Sequence, residues 1–290
     1  MEPLHSPAVI QRLLREYGLR PSKALGQNFL ADQNIVRRVV QAAAVHRGDL
    51  VLEIGPGLGS LTQGLLEAGA RVVAVEKDAR LVEALGELFR DQPQVTVVHA
   101  DALKTDLGEL LRAHGAGGTQ GAAAPVCKVA ANLPYSITSP LLVHILESDL
   151  PVERIVVMVQ REVAERLVAP PGTKEYGALT VAVQYRARVE LAGRVPPAVF
   201  VPAPTVWSEI VVLFPREERL AVGRSFAGLV KAAFGQRRKT LRNALKAMGL
   251  AAGTIEEVLA EAGLDGQRRG ETLSVEEFAV LSRAVDAARM

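Results

Sequence analysis

Four polar side chains close apolar runs in the first half of this 290-residue chain: Glu53, Glu76, Asp101 and Asn132. A parallel sheet built from those runs would gather all four at its C-terminal edge, where open α/β folds bind ligands. The first belongs to Leu50-Val51-Leu52-Glu53-Ile54-Gly55-Pro56-Gly57-Leu58-Gly59-Ser60, an apolar strand, a glycine-rich turn and the start of an amphipathic helix running through Leu61, Leu65 and Leu66. Glycines at such a turn allow positive φ and bring backbone N–H groups close to a ligand. A strict dinucleotide fingerprint places glycine at its first, third and sixth positions, but here the sixth is Ser60. Glu53 stands just before the first glycine, where a carboxylate repels a pyrophosphate and suits a cation or an amino group. S-adenosylmethionine offers a sulfonium and an amino-acid tail without phosphate. The turn therefore reads as a methyl-donor site, with a dinucleotide turn or a purely structural one as the alternatives.

Glu76 ends Val72-Val73-Ala74-Val75-Glu76, about 20 residues past the glycine turn, where a doubly wound fold sets an acid on ribose hydroxyls. Asp101 ends the next strand-like run, Val95 to Asp101. Either acid alone is more often a helix cap or a solvated loop charge; the pair beside the glycine turn is much less easily explained that way. Asn132-Leu133-Pro134-Tyr135 follows the fourth strand, 126–131. An exocyclic adenine amine is a poor nucleophile because its lone pair is delocalised into the ring. Two acceptors on its two N–H groups would free that lone pair toward a methyl group. The Asn132 side-chain oxygen and a carbonyl at Leu133 or Pro134 could supply them, with the proline stiffening the backbone. Tyr135 would offer a face for base stacking. An ordinary turn carrying a core tyrosine is the competing interpretation.

The elements that must position these residues alternate strand and helix. A short amphipathic helix covers 7–17, an irregular stretch follows to Leu30, and Asp32 caps a helix from Asn34 to Ala44. Gln27 and Asn28 could bond a ligand's polar edge or cap their own backbone. Further strands fall at Ile155–Val159, Val189–Val195 and Trp207–Phe214, giving about seven in one sheet. Helices are expected at 81–89, 140–146, 161–167 and 178–185, while 115–125 is a Gly/Ala-rich surface insertion. After Pro215 only helical periodicity remains. The expected organisation is an α/β domain over 1–215 and a small all-helical domain over 216–290.

Net charge is +2, too mild to prove a polyanionic partner. Between Arg224 and Lys246, however, stand Arg224, Lys231, Arg237, Arg238, Lys239, Arg242 and Lys246 without one acidic residue. Such a stripe is either a solvated helix face or a phosphate-binding face. Five scattered histidines show no metal spacing, and the single Cys127 excludes an intrachain disulfide framework. No apolar run approaches the ~18 residues of a membrane span. These features point to a cytoplasmic protein without metal or membrane attachment.

Leu25-Gly26-Gln27-Asn28-Phe29-Leu30, Glu53 to Gly59, Asn132 to Tyr135, Gln160 to Leu167 and Phe200-Val201-Pro202-Ala203-Pro204-Thr205-Val206 occur in an order that resembles the ribosomal RNA adenine N6,N6-dimethyltransferases, most closely their bacterial small-subunit branch. The resemblance implies a Rossmann-like, seven-stranded class I methyltransferase fold with a C-terminal helical domain that binds rRNA. It implies S-adenosylmethionine as methyl donor and two adjacent adenosines near the 3′ end of small-subunit rRNA as target, late in subunit assembly. A monomer acting on the rRNA or the pre-assembled subunit is expected. Carried over by position, the donor contacts are Asn28, Leu30, Gly55, Glu76, Asp101 and Asn132. Glu76 would take the ribose hydroxyls and Asp101 the donor's adenine amine. The catalytic set is Asn132, Leu133, Pro134, Tyr135 and Phe200, with Tyr135 and Phe200 sandwiching the target adenine. Arg237, Arg238, Lys239 and Arg242 would contact RNA. Two alternatives stay open: a large-subunit rRNA adenine methyltransferase conferring antibiotic resistance, and a non-catalytic RNA-binding assembly factor on the same fold.

Overall fold

The strands form where Val, Ile and Ala accumulate, side chains that pack well on a pleated surface covered on both faces. The computed structural model describes every residue except 23–25, 116–126, 149, 217, 219, 236–239 and 290. In chain order the strands are β1 (Phe29–Leu30), β2 (Leu50–Ile54), β3 (Arg71–Glu76), β4 (Val95–His99), β5 (Cys127–Asn132), β6 (Val152–Gln160), β7 (Ala187–Val195), β8 (Phe200–Val201) and β9 (Ser208–Pro215). The helices are α1 (Pro7–Glu16), α2 (Gln33–Ala42), α3 (Ser60–Glu67), α4 (Ala79–Leu88), α5 (Leu107–Ala113), α6 (Thr138–Glu147), α7 (Arg161–Val168) and α8 (Ala178–Gln184). After β9 come α9 (Phe226–Phe234), α10 (Leu241–Ala247), α11 (Ala252–Ala262) and α12 (Val275–Ala287).

Seven strands make one sheet in the order β4-β3-β2-β5-β6-β9-β7. β2 through β6 run parallel and β9 is antiparallel to β6. Strand order reverses at β2, which lies between β3 and β5; a crevice opens beyond the strand tips at such a point. The irregular stretch expected before Leu30 contains a strand after all: β1 pairs antiparallel with β8, Phe29 opposite Val201 and Leu30 opposite Phe200. Two residues are too short a run for alternation to reveal.

The chain divides into two compact units, Met1–Ala164 with Val189–Pro215, and Glu165–Arg188 with Arg216–Met290. The expected boundary after Pro215 is therefore one of three crossings, and 165–188 joins the helical unit instead of the first. Its reason is apolar: Ala169, Tyr176 and Val181 pack in one cluster with Phe226, Leu229, Leu245, Leu259 and Phe278. In the first unit, Val36, Val39, Leu61 and Leu65 of α2 and α3 pack on Val51, Val72, Ala130 and Val156. A separate cluster joins Leu4, Ile10, Leu13 and Leu14 to Leu58, Leu81, Leu85 and Phe89, so the N-terminal helix buttresses the glycine turn.

Ser60, the residue that departs from the dinucleotide pattern, has a packing task. Its buried hydroxyl donates to the Leu4 carbonyl at 2.7 Å, and Gln63 Oε1 accepts from the Leu4 N–H at 2.8 Å. The preceding Gly59 has φ +82°, and a Cβ there would lie 2.5 Å from the Phe89 ring. Strain and overlap add, so Gly59→Ala should destabilise the chain by about 2 kcal/mol or more. Urea unfolding monitored by circular dichroism measures this, and an unchanged midpoint would contradict the reading.

Candidate active site

One cleft of about 240 Å³ lies beyond the tips of β2, β3 and β5. Asn28, Leu30, Glu53, Gly55, Glu76, Asp101, Asn132, Leu133, Pro134 and Tyr135 all line it. The register explains why. Ile54 pairs with Val75 and Glu53 with Ala130, so Gly55, where the turn after β2 begins, emerges level with both Glu76 and Asn132. Gly55, at φ +68°, donates its N–H to Val75 O at 2.9 Å and turns the chain across the strand ends.

Glu76 is fixed by backbone. Its Oε1 accepts from the N–H groups of Lys77 at 2.8 Å and Asp78 at 2.9 Å, while Gly57 N stands 3.4 Å from Oε2. Burial holds its carboxyl above the usual range, and those N–H groups pull the other way. Asp101 lies just past β4. Its Oδ2 accepts from Lys77 Nζ at 2.8 Å, which holds its carboxyl below the usual range, and its Oδ1 accepts from Leu103 N at 3.1 Å.

Asn132, the last residue of β5, donates through Nδ2 to the Asn28 carbonyl at 3.0 Å. That bond sets the amide's orientation and leaves Oδ1 with no protein donor among the described residues. The neighbouring carbonyls differ. Pro134 O already accepts from Ile137 N at 3.1 Å and from Thr138 Oγ1 at 3.0 Å, which fills both lone pairs. Of the two carbonyls considered from the sequence, Leu133 O is the one left over. Tyr135 is half-buried, its hydroxyl 2.7 Å from Ser208 Oγ, and burial raises its pKa.

The segment 26–30 holds these pieces together. Gly26, at φ +65°, passes so close to Tyr135 that a Cβ would stand 3.3 Å from its backbone N. Gln27 donates to Asp78 Oδ2 at 3.3 Å, and Asn28 turns its own amide to Gly26 O at 3.2 Å. Leu30 is buried at the cleft wall.

Two sequence expectations need revision. Phe200, expected to sandwich the target with Tyr135, does not line the cleft: its ring is 3% exposed and packs with Leu30, Ile35, Val195 and Ile210. Pairing with β1 turns that side chain into the core, so it offers no stacking face in this conformation. Glu53, read as a carboxylate for a cation, is 1% exposed, and burial pushes its pKa up to about 8 despite the bond from Thr62 Oγ1 at 2.6 Å. It is a neutral acid over most of the neutral range. Thr62, Lys77 and Ser208 were not anticipated, since nothing in their local sequence marks a polar partner across the fold.

Arg237, Arg238 and Lys239 lie outside the described residues, as do 116–126, which hold nearly all of the Gly/Ala insertion. Arg242 is exposed on α10 but ion-paired at 2.7 Å with Glu256. Lys231 and Lys246 are exposed on α9 and α10, whose buried positions are Phe226, Leu229, Val230, Ala233, Leu241, Ala244 and Leu245. No grouping of metal-ligating side chains occurs among the described residues, and none of their helices is long and apolar enough to cross a membrane.

A family profile described as ribosomal RNA adenine dimethylase matches residues 18–282. The chain belongs to that family. The protein of Clostridioides difficile (strain 630) named ribosomal RNA small subunit methyltransferase A is 44% identical over 290 residues, covering 99% of this chain and 98% of the relative. Its namesake in Moorella thermoacetica is 46% identical over 288 residues, with 98% and 99% covered. Among solved structures, a dimethyladenosine transferase from Plasmodium falciparum matches with a TM-score of 0.73 at 25% identity, over 90% of this chain and 98% of that one. The 23S rRNA methyltransferase ErmE matches with a TM-score of 0.62 at 27% identity, over 89% and 100%.

The family's methyl donor, S-adenosylmethionine, fits the donor set. Among the described lining residues three carry carboxyl groups and Lys77 alone is cationic, already held by Asp101. No free cationic side chain there would hold a pyrophosphate, whereas hydroxyl and amino groups find carboxyl acceptors. Glu53 also carries a pH signature. A carboxyl whose folded pKa lies near 8, above its unfolded 4.5, keeps its proton when the unfolded chain has lost it. Its contribution is present below about 4.5 and lost as pH rises toward 8. Glu53→Gln should flatten that decline, so the variant's melting temperature at pH 8.5 rises relative to wild type while the two converge near pH 5. Parallel curves across this window, measured by scanning calorimetry, would refute the assignment.

Proposed function

We propose that this S-adenosylmethionine-dependent methyltransferase converts two adjacent adenosines in the 3′-terminal hairpin of small-subunit rRNA to N6,N6-dimethyladenosine during subunit biogenesis. The carrying observation is the Asn132 amide: pinned by Asn28, it presents an unshared acceptor in the same cleft as Glu76 and Asp101. Family membership supports the chemistry, and relatives covering nearly the whole chain are named for the small subunit.

Bound in this cleft, S-adenosylmethionine supplies an electrophilic methyl on sulfur. Glu76 has Oε1 held by two N–H groups and Oε2 met, among the described residues, only by the long Gly57 N–H contact, which leaves Oε2 for the ribose hydroxyls. Asp101 takes the donor's adenine amine, Asn28 and Leu30 close over it, and Gly55 lets the backbone approach. On the substrate side Asn132 Oδ1 and Leu133 O accept the two N–H groups of the target amine, turning its lone pair toward the methyl. Pro134 keeps the Leu133 carbonyl rigid, and Tyr135 stacks on the base. No strong general base is required. The rate gain comes from alignment and from acceptors matched to the charge that grows on nitrogen. Arg224, Lys231, Arg237, Arg238, Lys239 and Lys246 of the helical unit contact phosphates, with Arg242 joining once it trades Glu256 for RNA, so affinity falls steeply with salt.

The likeness to ErmE favours one other target, a large-subunit adenine. Mass spectrometry of both rRNAs from a strain lacking this gene separates the two. Dimethyladenosine should vanish from small-subunit rRNA alone and return with the wild-type gene. Asn132→Ala should bind the donor yet turn over roughly 100-fold more slowly. Loss from large-subunit rRNA, or full-rate methylation by Asn132→Ala, would contradict the proposal.

A further inference from the structure

Trp207 is the chain's one tryptophan, and it is 48% exposed. Val206 beside it is 41% exposed. They are the two consecutive members among the exposed large apolar side chains, the others being Met1, Leu191 and Val280. Six of the other aromatic residues, Phe29, Phe89, Tyr176, Phe200, Phe226 and Phe278, are buried. Among the described residues Trp207 takes part in none of the ring or cation pairs that engage Tyr185, Phe226 and Phe234.

Its place in the fold is fixed. Ser208 pairs with Gln160 at the end of β6, and Trp207 O accepts from Arg161 N at 2.9 Å. Because β9 runs antiparallel to β6, its first residue lies on the edge that carries the cleft. Asn132 ends β5, two strand spacings away, about 10 Å across the sheet. Ser208 Oγ meets the Tyr135 hydroxyl, so the backbone that carries Trp207 is tied to the tyrosine of the substrate turn. The loop leading to it starts from β8, clamped on β1, and contains Pro202 and Pro204, which limit its freedom.

We propose that Trp207, with Val206 at its side, is a stacking platform for the nucleobase flanking the target adenosine. The inference rests on the function proposed above and adds a substrate contact to it. Bringing an adenine into a pocket breaks its stacking with both neighbours. An exposed aromatic face on the same sheet edge as that pocket replaces the lost contact for one of them, whatever its identity, since every base has a π face. Trp207 thereby holds the strand in register while the next adenosine enters.

A lone tryptophan makes the test direct. The probe is a 5′-labelled RNA hairpin with the 3′-terminal small-subunit sequence and its two adjacent adenosines, titrated in the presence of S-adenosylhomocysteine. Label anisotropy reports binding, and tryptophan emission with acrylamide quenching reports Trp207. The emission should change in step with anisotropy, and acrylamide should lose access. Trp207→Ala should weaken RNA binding roughly fivefold or more, Trp207→Phe should restore most of it, and donor affinity by calorimetry should not move. Binding with unchanged emission, or equal affinity in Trp207→Ala, overturns the platform while leaving the proposed function standing. An emission change that follows protein concentration without RNA assigns the face to a second copy and overturns it too. Failure of wild type to bind this RNA at all overturns the function and the platform together.

Discussion

The register of β2 between β3 and β5 is the constraint on which this site depends. Parallel pairing of Ile54 with Val75, and of Glu53 with Ala130, makes three strands end at nearly the same height. Their terminal polar residues therefore face one crevice instead of several surfaces. A slip of one residue would turn Glu76 or Asn132 to the opposite face of the sheet. Apolar packing of α2 and α3 on Val51, Val72 and Ala130 holds that register, so the chemistry is positioned by the core and not by its own hydrogen bonds.

Within the crevice, local bonds decide which atoms remain for a ligand. The Asn28 carbonyl takes one end of the Asn132 amide, and α6's first turn takes both lone pairs of Pro134 O. What remains, Asn132 Oδ1 and Leu133 O, is a pair of acceptors suited to one amine. The N-terminal segment is thus part of the cleft's architecture. It fixes Asn132, packs on the glycine turn through Phe29, and reaches the substrate side through β1 and β8.

Much of this was legible in the sequence because it depends on spacing. Strand tips at Glu76 and Asn132 follow from apolar runs of Val and Ala, and the seven-stranded sheet from their count. What escaped depends on contacts between distant residues. Ser60 looked like evidence about the ligand, whereas its hydroxyl anchors Leu4. Glu53 looked like a charge, but complete burial beside Thr62 makes it an acid with a pKa of about 8. Phe200 carries a family motif, and only the β1–β8 pairing reveals that its ring turns inward. The stretch 165–188 sits between two sheet strands in sequence, yet Tyr176 and Val181 pack with the C-terminal helices, a preference no local pattern encodes.

At the centre of the account is a phosphate-free donor held by carboxylates at the strand tips. Calorimetric titration of the full chain with S-adenosylmethionine, for wild type and for Glu76→Ala, addresses it most directly. Loss of hydrogen bonds to a charged acceptor should weaken binding at least about tenfold in the variant, with its melting temperature showing that it still folds. Equal affinity in a folded Glu76→Ala would contradict the account.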